Sequence, residues 1–184
     1  MPEPRDLHPL RLLAISGSLR RASTNTAVLQ ALADLAPDGV EVTIYRGLAE
    51  LPAFNADDDE DDPPEQVRAL RGLVASSQGI FIAAPEYAHG VPGALKNALD
   101  WLVASDAFPG KPVALVNTAP RAFHAQAALR ETLATMSARL VPDAFATLPL
   151  TGRSVDRRAI LVDERSSRLL REALAAFRAA IAAD

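Results

Sequence analysis

Leu12–Thr26 reads LLAISGSLRRASTNT, and the fold turns on it. Leu12, Leu13, Ala14 and Ile15 form an apolar run, Ser16, Gly17 and Ser18 are small, and Ser23, Thr24 and Asn25 open a long helical pattern. The order is strand, tight loop, helix. Free backbone N–H groups and the positive end of the helix then point out of the loop, where they can hold a phosphate. Ser18, Ser23, Asn25 and Thr26 supply short donors, and Arg20 and Arg21 supply charge in the forked geometry that suits a phosphate. The same residues also fit an N-cap cluster that starts an ordinary helix beside two solvated arginines.

Outward from that stretch the pattern repeats. Thr24–Ala36 carries Val28, Leu29, Leu32 and Leu35 at helical spacing and stops at Pro37-Asp38-Gly39. Val40–Tyr45, VEVTIY, alternates as a strand. The acidic run 57–62 lacks the glycine and terminal glutamate of a calcium loop and reads as a solvated loop. Asp62-Pro63 with Glu65 starts a second helix that should reach about Ser77.

Gly79–Pro85, GIFIAAP, is apolar throughout, as in a strand buried on both faces. It ends in the proline-bounded turn Pro85–Pro92, and a third helix then carries Leu95, Leu99 and Leu102 inward, with Lys96, Asn97, Asp100 and Trp101 around it. Lys111–Thr118 reads as the fourth strand, Ala125–Leu140 as the fourth helix and Val141–Leu148 as a weaker fifth strand. A polar connection, Thr151–Arg158, leads to a last amphipathic helix with Leu170, Leu174, Phe177 and Ile181 on one face.

Alternating strands and helices imply an α/β fold: a three-layer sandwich with a five-stranded parallel sheet, order 2-1-3-4-5, and helices on both faces. Residues 1–184 suit one domain. Its ligand crevice should lie beyond the carboxyl ends of the strands, where the loops after strands one, three and four converge.

Composition narrows the chemistry. The net charge is −4 with Lys and Arg scattered, which gives no footprint for nucleic acid or an anionic membrane. No cysteine is present, which excludes disulfides, thiolate nucleophiles and iron–sulfur clusters, so redox chemistry must come from a bound cofactor. His8, His89 and His124 lack metal-ligand spacing, so no metal site is expected. MPEPRDLHPLR has no apolar signal-peptide core, and no apolar run approaches the ~18 residues of a membrane span, so a cytoplasmic protein is expected.

Two motifs then stand in order: Gly17-Ser18-Leu19-Arg20 with Ser23 and Asn25, and Pro85-Glu86-Tyr87 followed by Pro92, Leu95-Lys96-Asn97-Ala98 and Asp100-Trp101. With them the chain resembles the NADPH-dependent FMN reductase family over about Leu10–Leu140, a family of flavodoxin-like fold that includes quinone and chromate reductases. The resemblance implies FMN as cofactor, with NADPH or NADH as co-substrate. It assigns Ser18, Leu19, Arg20, Ser23, Thr24, Asn25 and Thr26 to the loop that holds the FMN phosphate, Pro85, Glu86, Tyr87 and Ala88 to the border of the isoalloxazine ring, and Asn117 and Thr118 to the ribityl chain.

It also implies hydride transfer from NAD(P)H to flavin and on to a small acceptor such as a quinone or free flavin, with no catalytic side chain required. The site would lie at a dimer contact, so a homodimer or homotetramer is expected. Two positions depart from the family. Ala88 stands where asparagine is usual, and Thr118–Gln126, TAPRAFHAQ, replaces a longer loop with a glycine pair. Both weaken the expected hold on FMN. The competing readings are a flavodoxin-like electron carrier, which the missing T-x-T-G-x-T loop disfavours, and a flavin-free protein that keeps the fold.

Overall fold

The computed structural model describes residues 9–60, 62–121, 123–150 and 155–183. His8 and the N-terminal stretch read above, and residues 151–154 of the Thr151–Arg158 connection, lie outside the described residues. The chain folds as β1 (Leu10–Ser16), α1 (Thr24–Asp34), β2 (Val40–Tyr45), α2 (Glu65–Ser76), β3 (Gly79–Ala83), α3 (Gly93–Leu102), β4 (Pro112–Asn117), α4 (Phe123–Thr135), β5 (Arg139–Leu140), β6 (Ala146–Thr147), α5 (Arg157–Val162) and α6 (Glu164–Ala182). All pairings among these strands are parallel, in the order β2-β1-β3-β4-β5.

Strand periodicity divides the core into two layers. Leu13, Ile15, Ile80, Ile82, Val113 and Leu115 face a layer built with residues of α2, α3 and α4. Leu12, Ala14, Phe81, Ala83, Ala114 and Val116 face the other layer, with α1, α5 and α6. Half of the strand residues named on the second face are alanines, set around Phe81, whose ring meets Phe177 of α6 at 4.6 Å. Gly79 makes room for this contact, because a Cβ there would come within 2.8 Å of the Phe177 ring.

The C-terminal half of the chain differs from expectation in three places. The fourth helix stops at Thr135 rather than Leu140. Ser137 takes a left-handed φ of 61°, and the Ala138 N–H donates to the Leu133 carbonyl at 2.9 Å, a helix stop made without the glycine that usually announces one. Of the expected fifth strand, Val141–Leu148, only Ala146–Thr147 forms, because Pro142 lacks a donor and starts a helical turn at 142–144, while Arg139–Leu140, expected in the fourth helix, is a strand. β5 pairs with Pro112 and Val113, and β6 pairs further along the same strand with Val116 and Asn117. In the connection, α5 forms between two caps: Asp156 accepts from the Ala159 N–H and Asp163 from the Ser166 N–H, both at 2.8 Å. The acidic run is also not wholly solvated, since the carboxylate of Asp59 is nearly buried against Arg71 at 2.7 Å.

Candidate functional site

Three loops leave the carboxyl ends of β1, β3 and β4 side by side. The first is tied to the second by the Gly17 N–H, which donates to the Ala83 carbonyl at 2.8 Å and extends the β1–β3 ladder one residue past the strand. Gly17 permits this approach; a Cβ there would sit 3.0 Å from Leu95 and 3.3 Å from Ala84. The first loop is tied to the third through Thr118, whose hydroxyl donates to Asn25 Oδ1 at 3.0 Å across 93 positions of sequence. The second is tied to the third through Glu86, whose carboxylate accepts from the Ala125 N–H at 2.8 Å. That places a negative charge at the amino end of α4, where the helix dipole favours it.

These ties enclose a cavity of about 250 Å³ lined by Ser18, Arg20, Ser23, Thr24, Asn25, Pro85, Glu86, Tyr87, Thr118, Ala119 and Leu150. Nine of the expected cofactor residues meet there, from all three loops. A second hollow of about 360 Å³ adjoins it across Arg20 and Tyr87 and is lined also by Leu19 and Pro92. Ala119 and Leu150 were not expected; Ala119 lies in the flagged Thr118–Gln126 loop but is apolar, and nothing around Leu150 in the sequence signals a site.

The remaining expected residues stand slightly apart. The Thr26 hydroxyl donates to Ser16 Oγ at 2.8 Å and braces the loop from behind. Asn117 accepts from the Ala119 N–H at 2.9 Å and borders a different hollow beyond β4, with Phe123, Gln126 and Thr147. Ala88 lies at the tip of a two-residue hairpin, in which the Tyr87 and Gly90 backbones exchange hydrogen bonds at 3.2 and 2.9 Å. Ala88 and His89 have φ of 47° and 59°, the pairing of left-handed residues that such a turn demands. Alanine pays for that conformation more than asparagine or glycine would.

The donors in the first loop suit a phosphate monoester. Ser23 caps α1 by accepting from the Thr26 N–H at 3.2 Å, while the Leu19, Thr24 and Asn25 N–H groups find no acceptor among the described residues. Arg20 is exposed and enters no ion pair among those residues. Tyr87, half exposed, offers an aromatic face beside them. The chemistry on offer is an anion cradle next to a surface for a flat ring.

Other residues weighed in the sequence prove structural. Trp101 is fully buried, its Nε1–H donating to the Pro52 carbonyl at 2.9 Å. Lys96 pairs with Asp100 one helical turn on, at 2.6 Å. Among the described residues no cluster of His, Cys, Asp or Glu could hold a metal, and no helix is long and apolar enough to cross a membrane. A larger apolar hollow, about 710 Å³ between the end of α1 and α6, offers only Arg171 and Arg178 as polar groups and shares no wall with the crevice.

The chain is 38% identical over 107 residues to a quinone reductase of Escherichia coli, a match that spans 56% of this chain and 57% of that relative. It is 34% identical over 161 residues to the NADH:(hydroxy)cinnamate reductase subunit CrdA of Vibrio ruber, covering 84% of this chain and 79% of the relative. Among solved structures it resembles FerB, a flavoenzyme NAD(P)H:(acceptor) oxidoreductase from Paracoccus denitrificans, with TM-score 0.77 and 27% identity over 94% of this chain and 97% of that one. The model of the NADPH-dependent FMN reductase family matches residues 10–150, and the chain belongs to that family.

Proposed function

We propose that the protein is a single flavodoxin-like FMN-binding domain that works as an NAD(P)H-dependent FMN oxidoreductase, passing hydride from nicotinamide to bound flavin and then to a small acceptor such as a quinone or free flavin. The observation that carries the reading is the joining of loops one, three and four around one cavity, with unpaired backbone donors, Arg20 and Tyr87 beside one another at it. The reductase activities printed for the Escherichia coli and Paracoccus relatives point the same way.

In this reading Arg20, Ser18, Ser23 and the Leu19, Thr24 and Asn25 N–H groups hold the FMN phosphate, with Thr26 bracing the loop. Pro85, Glu86, Tyr87 and Ala88 border the ring, and Asn117 and Thr118 flank the ribityl chain. Bound FMN supplies the two-electron chemistry. The chain supplies position: Glu86 clamps α4 to the ring-bordering loop, and Tyr87 keeps one side of the crevice accessible to a flat substrate. No side chain need form a covalent bond, which fits a protein without cysteine.

We place the protein in the cytoplasm, with no nucleic-acid or membrane partner. We also propose a homodimer or homotetramer, in which a second subunit covers the exposed Leu19 beside the crevice. Anaerobic addition of NADH or NADPH to the FMN-loaded protein should bleach the flavin, and a quinone should restore its colour, with ping-pong kinetics at steady state. A flavin that stays oxidised under both nucleotides would contradict the reductase and favour an electron carrier.

A further inference from the structure

His89 and His124, 35 positions apart in the chain, stack ring on ring, with centroids 4.3 Å apart and planes inclined by 25°. They are the two histidines among the described residues, and both are exposed. His89 is fixed by the hairpin that also presents Tyr87, and His124 by the first turn of α4 and by Phe123, whose ring lies 4.0 Å from its own. The pair therefore stands beside the Glu86 to Ala125 tie, close along the chain to the crevice-lining Tyr87 on one side and to Ala125 on the other.

Reduction of a quinone to a hydroquinone consumes two electrons and two protons. Hydride delivers both electrons and one hydrogen; the second oxygen still needs a proton. Imidazole is the side chain whose ordinary titration range lets it give up a proton near neutral pH.

We propose that the stacked His89–His124 pair is the proton donor to the acceptor, an inference that rests on the reductase reading above. An imidazolium N–H bond breaks toward the quinone oxygen as hydride arrives at the acceptor, its electron pair stays on nitrogen, and the exposed pair regains the proton from water. Acceptors that form an O–H bond on reduction are then favoured over those that take electrons alone. The ionisable groups around the pair are Glu86, committed to the Ala125 N–H, Tyr87 on the same hairpin, Arg121 before α4 and Arg20 across the cavity; Lys96 and Asp100 on α3 neutralise each other.

The test mixes NAD(P)H-reduced enzyme with 1,4-benzoquinone or with ferricyanide, which takes electrons and no proton. H89Q/H124Q should slow benzoquinone reduction about a hundredfold, the low end of a general-acid contribution, while ferricyanide reduction is retained. Equal losses with both acceptors, or no loss with either, would overturn the proposal. A wild-type enzyme that reduces neither acceptor would instead overturn the reductase reading. An independent readout uses the flavin-free protein: NMR titration of the imidazole signals should show the His124 midpoint moving in H89Q, and an unmoved midpoint would show that the two imidazoles do not act on each other and overturn the pair.

Discussion

Residues 85–90 and residues 97–101 belong to one sequence motif yet do opposite work. Asn97 and Trp101 hold the 46–62 loop against α3: Asn97 Nδ2–H and Trp101 Nε1–H both donate to the Pro52 carbonyl, at 2.8 and 2.9 Å, and Asn97 accepts from the Phe54 N–H at 2.7 Å. Arg71 closes the set by donating to the Trp101 carbonyl at 2.6 Å. Tyr87, Ala88 and His89, by contrast, are exposed, and two of them sit in left-handed backbone conformations. One half of the motif is packed around a buried Trp101 and hydrogen-bonded to its neighbours, the other strained and open. Residues that recur together in a family therefore need not share a role, and burial separates the clamp from the site.

That contrast breaks first at Trp101. Trp101→Ala should cost about 3–5 kcal/mol, the range for removing a large buried aromatic, measured as a loss in urea unfolding free energy. An equal cost for Tyr87→Ala would erase the distinction, since a half-exposed ring has far less contact to lose.

Next comes the cradle. Arg20→Ala should leave the unfolding midpoint unchanged and weaken FMN by about 1.5–3 kcal/mol, the scale of a hydrogen bond to a charged group. Unchanged FMN affinity would remove Arg20 from the phosphate site.

The hairpin sharpens the comparison from the other side. Ala88→Gly relieves a left-handed alanine and should raise stability by about 1 kcal/mol, provided the glycine's extra freedom in the unfolded chain does not cancel it. Ala88→Asn separates the two effects, because asparagine tolerates the conformation and keeps a side chain. A drop in stability with both variants would show that the turn is not strained at this position.

Burial also shows itself away from the motif, in the pH dependence of Tyr45 at the end of β2. Burial, and secondarily the nearby Glu50 carboxylate, push the Tyr45 phenol up from 10.0 to about 12. The unfolded chain therefore releases this proton first as pH rises, and stability falls between pH 10 and pH 12. Tyr45→Phe should flatten the unfolding midpoint across that window, and an unchanged slope would contradict the assignment.

Regular segments were legible in the sequence because one physical signal dominated each. VEVTIY and GIFIAAP read as strands from alternation and continuous burial, and their order led to the sheet order observed. Where signals conflict, reading failed. Ser137 ends α4 in a conformation that favours glycine, so helical periodicity ran on to Leu140. The caps Asp156 and Asp163 were visible as residues, but the short α5 between them had too little periodicity to register.

At the site, the loop compositions pointed to the crevice, while the ties that shape it join distant positions. Asn25 with Thr118, Glu86 with Ala125, and His89 with His124 leave no local pattern. The resemblance sets Glu86 at the ring border; in the fold its carboxylate is also engaged at a helix end.

The claim that these loops form a flavin site is tested most directly by titrating the flavin-free protein with FMN and following the quenching of flavin fluorescence. The account predicts saturable one-to-one quenching with a micromolar rather than nanomolar dissociation constant, competed by inorganic phosphate and lost with FAD. Fluorescence that stays at the level of free FMN throughout the titration would contradict it.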